Sequence, residues 1–441
     1  MKRYYTITIL IIIFGLFIVD TLSAQNNWTL RSCIDYAREN NIQVQKSQIT
    51  EDSYAVDELQ SKAALFPSLS GNVSHGFSNT QVINTDGQYK FKGSLIGQYS
   101  LNTSLTIYDG KRNLNNIKEA RLKKQAQEYN TLETQNNIEI SITQAYLQML
   151  YAREAIKNSE NILESTTVQL KQTKDFLDAG SITRSEYAQI EAQYSANKYD
   201  VVLAQNSFDD YKLQLKQLLE LDVDVDFQVE FPELKDDNVM RMVPQKEDIY
   251  RIALNIMPEI ENSKLGVKIA NLNRASAKAG YLPTLSLSGS IGTGDTYTQP
   301  SSFFTQIGRN FNQNIGLTLS IPIFDNRQNK SNVEKASLDI KTAELALLDE
   351  QKALFRTIET LYQDVVSAQS KYIAAKDKLG SSELSYHLVA EQYNLGVRNI
   401  VELTTEKNNY ANALQEFIQA KYSALLSLKL LNFYQGEEIS L

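Results

Sequence analysis

SLIGQYSLNTSLTIYDGKRN, residues 94–113, changes period partway along. Leu95, Tyr99, Leu101, Leu105 and Ile107 alternate with Gln98, Ser100, Asn102, Ser104 and Thr106. Period two belongs to a strand with one apolar and one polar face. After Asp109-Gly110 the alternation stops, and neither proline nor glycine recurs before Gly180. Those two residues are the ones that break helices, so the run up to Leu177 reads as one helix of about 100 Å at ~1.5 Å per residue. A strand thus feeds directly into a rod.

The same transition occurs again. IGLTLSIPIFDNRQN, residues 315–329, carries Ile315, Leu317, Leu319, Ile321 and Ile323 on one face before the second such exit. Asp109 matches Asp325, Pro67 of FPSLSGNVS matches Pro283 of LPTLSLSGS, and Gly180 matches Gly396, all at an offset of 216 (283 − 67). One offset held over that span implies a duplicated unit with almost no net insertion; a repeat this long is a domain rather than a solenoid turn. Pro67 and Pro283 stand at the strand entries. In the first copy Leu69, Val73 and Phe77 oppose Ser70, Asn72, Ser74 and Ser78, and Asp86-Gly87 provides the hairpin turn. In the second, Leu285, Leu287 and Ile291 play the apolar part.

The long helices carry heptads. Ile142, Met149, Ile156, Leu163, Leu170 and Leu177 recur every seventh residue, and Ile358, Val365, Tyr372, Leu379, Tyr386 and Tyr393 repeat them 216 positions on. Such a pattern predicts coiled-coil-like packing. The expected layout is a signal peptide over 1–24, a first repeat over 25–225, a connecting segment over 226–243 and a second repeat over 244–441. The first repeat opens on the helix TLRSCIDYARENN and continues with strands at about 68–80 and 94–108 and helices at about 110–177 and 183–220. The second opens on the helix KEDIYRIALNIMPEIE, followed by strands at about 283–297 and 311–324 and helices at about 326–394 and 400–434.

Lys2 and Arg3, the apolar run from Ile7 to Val19 and the small residues Ser23 and Ala24 have the grammar of an export signal. The single cysteine, Cys33, then suits a small buried residue, since one thiol makes no internal disulfide. A net charge of −8 and a mean hydropathy of −0.34 argue against a nucleic-acid partner. Two histidines far apart, no cluster of metal-ligand spacing and no nucleophile elbow argue against an enzyme, a metal or a cofactor.

Four strands of about ten residues with apolar-out, polar-in alternation match transmembrane β-strands. Tyr89, Phe91, Tyr108, Phe303, Phe304, Phe311 and Phe324 cluster near strand ends as girdle residues should. An open sheet edge cannot face lipid, and a single-chain barrel starts at about eight strands, so four strands must be closed by other subunits. The fold class expected is a mixed α and β membrane protein with an internal twofold repeat. A small soluble sheet capping a helical domain is the plainer alternative, and a periplasmic adaptor with one long hairpin is the alternative function.

WTLRSCIDYARENN, the two strand entries, the IYDG and IFDN exits and the two glycine turns, taken in order, resemble the TolC family of outer-membrane efflux ducts over nearly the whole chain past residue 24. The resemblance implies a homotrimer embedded in outer-membrane lipid, a shared barrel of twelve strands and a periplasmic tunnel of long helices. It also implies a periplasmic adaptor and an inner-membrane pump of RND or ABC type, with small molecules or secreted proteins as cargo. By the same resemblance, the segment between the copies joins the C-terminal residues in a belt.

Gly180 in FLDAGSITRSEYAQIE and Gly396 in YNLGVRNIVELTTEK would then be turns at the periplasmic tip. The family pattern implies a latch of Tyr393 to Glu186 and Arg398 to Ser185. It implies a pore ring at Glu402, with Thr405 where the best-known members carry a second acid, hence a less anionic entrance. Simpler readings stand beside these: Glu186 and Glu402 as helix caps, Arg398 as a solvated turn residue, Tyr393 as heptad packing.

Overall fold

The computed structural model describes residues 28–222, 224–232, 239–297 and 300–441. The expected signal peptide, 1–24, and part of the connecting segment lie outside the described residues. The elements run α1 (Leu30–Asn40), α2 (Ile42–Ala63), β1 (Ser68–Ile83), β2 (Tyr89–Tyr108), α3 (Arg112–Asp178), α4 (Arg184–Leu218), α5 (Lys246–Ile256), α6 (Pro258–Ala279), β3 (Thr284–Thr296), α7 (Phe303–Arg309), β4 (Asn312–Ser320), α8 (Gln328–Asn394) and α9 (Ile400–Phe433). The offset of 216 relates α1 to α5, α2 to α6 and α3 to α8 at both ends (246 − 30, 258 − 42, 328 − 112).

The first copy's opening motif ends where α1 does, and a second helix, α2, follows it after a break. The chain breaks at Asn41, whose amide nitrogen donates to the Leu218 carbonyl at 2.9 Å and whose side-chain oxygen accepts from the Gln43 N–H at 2.9 Å. In the second copy Met257 takes the same extended conformation and Pro258 begins the next helix, where its missing N–H costs nothing. One break is thus made by two different chemistries. That is why KEDIYRIALNIMPEIE, read as a single helix, divides inside the motif.

The four strands form one antiparallel sheet in the order β1-β2-β3-β4. Ser70, Asn102, Ser290 and Asn314 are aligned across all four strands, while Leu105, Leu287 and Leu317 are aligned across three. The period-two reading therefore survives as two chemically distinct faces. Pro67 and Pro283 each immediately precede a first strand residue. The hairpin turn has Gly87 at φ 77° with its N–H on the Asn84 carbonyl.

β4 ends at Ser320, short of the expected 324, because Pro322 has no N–H to offer a ladder. Ile321 and Ile323 accordingly lie past the strand. Phe303 and Phe304 belong to α7, a helix between β3 and β4, and not to a strand end.

At the exit from β2 a bulge at Ile107 ends the regular pairing, and Gly110 and Lys111 take φ of 69° and 72°. The second exit repeats this with Asn326 and Arg327 at 52° and 70°. Two left-handed residues in a row redirect the chain, and glycine and asparagine tolerate that region best. Asp109 and Asp325 then accept from the N–H of Asn113 and Asn329, both at 2.8 Å, closing the first turn of α3 and α8.

The chain divides into two compact units. One contains residues 132–257 and 352–441 with the N-terminal segment through Lys46; the other contains 47–131 and 258–351. Each takes segments from both repeats, because α3 and α8 begin in one unit and end in the other. Within the first unit Cys33, Ile34, Ile142, Tyr146, Leu215, Phe227 and Leu425 form the main core. Tyr146 donates to the Glu230 carbonyl at 2.7 Å, and Trp28 bridges to Val229. Burial pushes the Cys33 thiol up to about 12, so it serves as packing. The segment between the copies meets α8 here, where Gln369 donates to the Val239 and Arg241 carbonyls, and it meets the C-terminal residues through Arg241 to Glu437 at 4.0 Å.

Arg38 pairs with Glu139, which is only 3% exposed. The matching positions of the second copy are Leu254 and Phe355, so the repeat itself accepts apolar residues there. Arg38→Met should cost about 3 kcal/mol, the low end for breaking a buried pair because Arg38 keeps partial solvent contact. Arg38→Met with Glu139→Leu should recover most of that in thermal unfolding followed by circular dichroism. A double variant as unstable as the single one would refute the account.

Candidate functional site at the glycine turns

Both long hairpins reverse by the same local device. Gly180, at φ 71°, donates to the Leu177 carbonyl while Ser181 donates to Phe176, both at 2.9 Å. Gly396, at φ 74°, donates to Tyr393 while Val397 donates to Gln392, again both at 2.9 Å. This crossed pair satisfies the last carbonyls of α3 and α8, and it needs a left-handed residue that glycine supplies at least cost.

Three residues beyond each glycine a cap opens the next helix. Thr183 accepts from the Glu186 N–H at 3.2 Å, and the Glu186 carboxylate accepts from the Thr183 N–H at 2.7 Å. Asn399 and Glu402 do the same at 3.0 and 3.1 Å. These are reciprocal capping boxes. Thr-x-x-Glu and Asn-x-x-Glu are helix-start patterns in the sequence itself.

The cap reading of both glutamates is therefore what the chain displays. The backbone N–H of Asn399, and then Arg398, hold the Glu402 carboxyl below the usual range; Thr183 does the same for Glu186. A depressed carboxyl stabilises the fold above its ordinary pKa and loses that contribution as pH falls through the lowered value.

Neither expected latch pair forms within the chain. Glu186 is turned back onto its own cap, its carboxylate accepting from the Thr183 N–H and hydroxyl at 2.7 and 2.9 Å, and Tyr393 packs against Ile190, Ile400 and Leu403. Arg398 donates to Gln392 at 2.9 Å and to Glu402 at 2.8 Å, while Ser185 is exposed. Tyr393 still meets the first copy, by packing in the cluster that holds Ile190 of α4 and Leu170 of α3. Thr405 donates to the Val401 carbonyl of its own helix at 2.8 Å.

What packs the two hairpins together near the turns is apolar. Ile190 of α4 and Ile400 and Leu403 of α9 are buried against Leu170, Tyr386, Val389, Ala390 and Tyr393. Further along lies a buried polar layer. Lys407 donates to Thr166 at 2.7 Å and to Gln169 at 3.3 Å, and Asn197 donates to Thr166 at 2.7 Å. Thr166 and Thr173 stand seven apart and are both buried, so here a heptad position is hydroxylic. An apolar-heptad search passes over these residues; a search for Thr at the same spacing would find them.

The sequence matches the family model described as outer membrane efflux protein over residues 33–220 and 249–437. It is 24% identical over 432 residues to outer membrane protein TolC of Escherichia coli, covering 94% of this chain and 84% of that protein. To alkaline protease secretion protein AprF of Pseudomonas aeruginosa it is 22% identical over 388 residues, covering 85% and 77%. The fold superimposes on the Campylobacter jejuni CmeC outer membrane channel with a TM-score of 0.74 at 19% identity, covering 95% of this chain and 92% of the other.

Proposed function

We propose that this chain, which belongs to the outer membrane efflux protein family, works as a trimer whose four-stranded sheets join edge to edge into one barrel. It is an outer-membrane exit duct of the efflux and type I secretion kind. The observation that carries the trimer is the sheet itself. β1 and β4 are its edges, and one face is apolar and open, with Leu69, Val73, Ile315 and Leu317 each more than 60% exposed. Lipid tolerates the face but not the edges, so β4 of one copy pairs with β1 of the next. No helix among the described residues is long and apolar enough to cross a membrane, which leaves the strands to do so.

The polar face, rich in Ser, Asn, Thr and Gly, lines the lumen. Such a wall offers few specific contacts, so an inner-membrane pump selects the cargo and a periplasmic adaptor joins pump to duct. The glycine turns form the periplasmic tip, and the tip is closed at rest. The apolar cluster around Leu403, with Tyr393 packed against it, holds it, in place of the latch pairs expected from sequence. Glu402 contributes one acidic ring, muted by Arg398 and with no second acid at Thr405.

The test is the purified protein in planar bilayers. Outer-membrane extracts should yield a heat-dissociable trimer with a small, mildly cation-preferring conductance. Arg398→Ser should raise both conductance and cation preference by unmasking Glu402, and Glu402→Gln should lower the preference. A monomer without channel activity would refute the duct. Selectivity unchanged in both variants would remove Glu402 from the pore.

A further inference from the structure

The apolar face of the sheet is interrupted at one level by a polar cluster that no part of the duct reading uses. Tyr99 hydrogen-bonds His75 at 3.1 Å and donates to Asp295 at 3.2 Å. All three share the face of Leu101, Leu105, Leu287 and Ile291, and they converge over Gly97. A Cβ there would collide with the Asp295 carboxylate and lie 3.0 Å from the His75 ring, so Gly97 leaves the space they fill.

Ionisable groups facing hydrocarbon are costly, so this level marks the upper edge of the acyl region. Its height fits. Ile107 to Tyr99 is eight residues, or about 26 Å along the strand and about 20 Å along the membrane normal at ordinary tilt, against an apolar band about 25 Å tall.

α7 lies on the same face at that level. Thr293, whose side chain is on the apolar side with Ile291, donates to the Ile307 carbonyl at 2.6 Å. Gln306, 5% exposed, accepts from the Thr296 N–H at 2.7 Å and donates to the Thr296 and Ser301 carbonyls at 3.2 and 2.8 Å. Asn310 donates to the Gly294 carbonyl at 2.6 Å. The helix is thus tied to β3 by polar bonds, and its aromatic side chains are left free. The Phe303 ring stands edge-on to Tyr99 at 6.2 Å, and Phe304 beside it is 84% exposed.

We propose that α7 is an in-plane interfacial helix that seats Phe303 and Phe304 in the outer leaflet at the boundary between acyl chains and headgroups, roofing the His75–Tyr99–Asp295 cluster. The occupant is lipid, because Leu105, Leu101, Leu287, Ile291, Leu317 and Ile315 continue the apolar side of β2, β3 and β4 up to the level of the helix. Aromatic side chains favour that boundary. This inference rests on the barrel reading, and the test separates the two.

Phe304→Trp, Leu317→Trp on β4 and Tyr199→Trp on α4 are each reconstituted as trimers in phosphatidylcholine vesicles brominated either near the headgroup or near the chain end. The native Trp28 is packed against Tyr36 and Phe227 and gives a constant background. Phe304→Trp should lose its added emission mainly to the shallow bromines, Leu317→Trp mainly to the deep ones, and Tyr199→Trp to neither. Quenching of Leu317→Trp alone, with iodide in the buffer quenching Phe304→Trp, overturns the α7 proposal and leaves the barrel standing. No quenching at Leu317 overturns the barrel reading, and this inference with it.

Discussion

Lys407→Met should raise the thermal stability of the protein at pH 7, and the gain should vanish by about pH 10. The lysine is 4% exposed, and the partners of its ammonium are the Thr166 hydroxyl and the Gln169 amide oxygen, neither of them charged. Burial alone pulls it from 10.5 down to about 8. The unfolded chain keeps this proton to about pH 10.4, whereas the folded one releases it near 8. Between those values unfolding takes up a proton, so the native state gains stability as pH rises. Below 8 both states hold the proton and the burial cost is at its full size, about 3 kcal/mol.

Methionine fills the same volume with a flexible unbranched chain and no charge. It forfeits two hydrogen bonds of about 1 kcal/mol each, so the net gain at neutral pH should be about 1 kcal/mol. Near pH 10, where the native lysine is neutral, the variant should be the weaker protein. Melting curves by circular dichroism at several pH values, wild type against variant, read the difference. A difference that stays flat between pH 7 and 10 would mean the lysine is not held as a buried cation. The natural chain keeps a costly residue in this seam. A polar group at one heptad position fixes register between helices, and Lys407 joins α9 to α3 in that way.

Several features were readable because a side-chain pattern and a backbone need coincide. Asp109-Gly110 and Asp325-Asn326 stop a period-two run at the point where a left-handed turn is required, so both exits and the offset between copies follow from residues alone. Gly180 and Gly396 are readable for the same reason. The strand faces survive into the sheet because the alternation holds from Leu69 to Phe77 and from Tyr99 to Leu105. What escaped were features decided by tertiary partners. Asn41 ends a helix by reaching Leu218, far along the chain, and α7 exists because Gln306 finds the backbone of Thr296 and Ser301. The latch pairs escaped because a local competitor was nearer. Glu186 has Thr183 three residues away, and Arg398 has Glu402 four residues away, and these bonds need no second hairpin.

Truncating the apolar cluster at the turns should open the duct more than removing any polar link there. Ile190 and Leu403 are 0% and 5% exposed and meet between the first and second hairpins. Each large-to-alanine change in such a site costs about 2–5 kcal/mol. Tyr393→Phe removes only a hydroxyl, at most one neutral hydrogen bond of about 1 kcal/mol, and leaves the ring packed in the cluster. If the resting tip is held by the contact between hairpins, Ile190→Ala with Leu403→Ala should raise single-channel conductance severalfold, and Tyr393→Phe only slightly. Circular dichroism should show the helices intact, because the main core around Tyr146 is a separate cluster. Equal conductance in the wild type and the double variant would show that the cluster does not close the tip. A larger effect from Tyr393→Phe would return the latch to the tyrosine. The polar bonds at the turns are mostly within one hairpin: the two capping boxes and the Arg398–Glu402 pair shape each turn without joining it to the other. Nearest the turns the copies are joined by burial at Ile190, Ile400 and Leu403, with the Lys407 bonds to Thr166 and Gln169 crossing further along, so the free energy opposing separation at the tip resides in that burial.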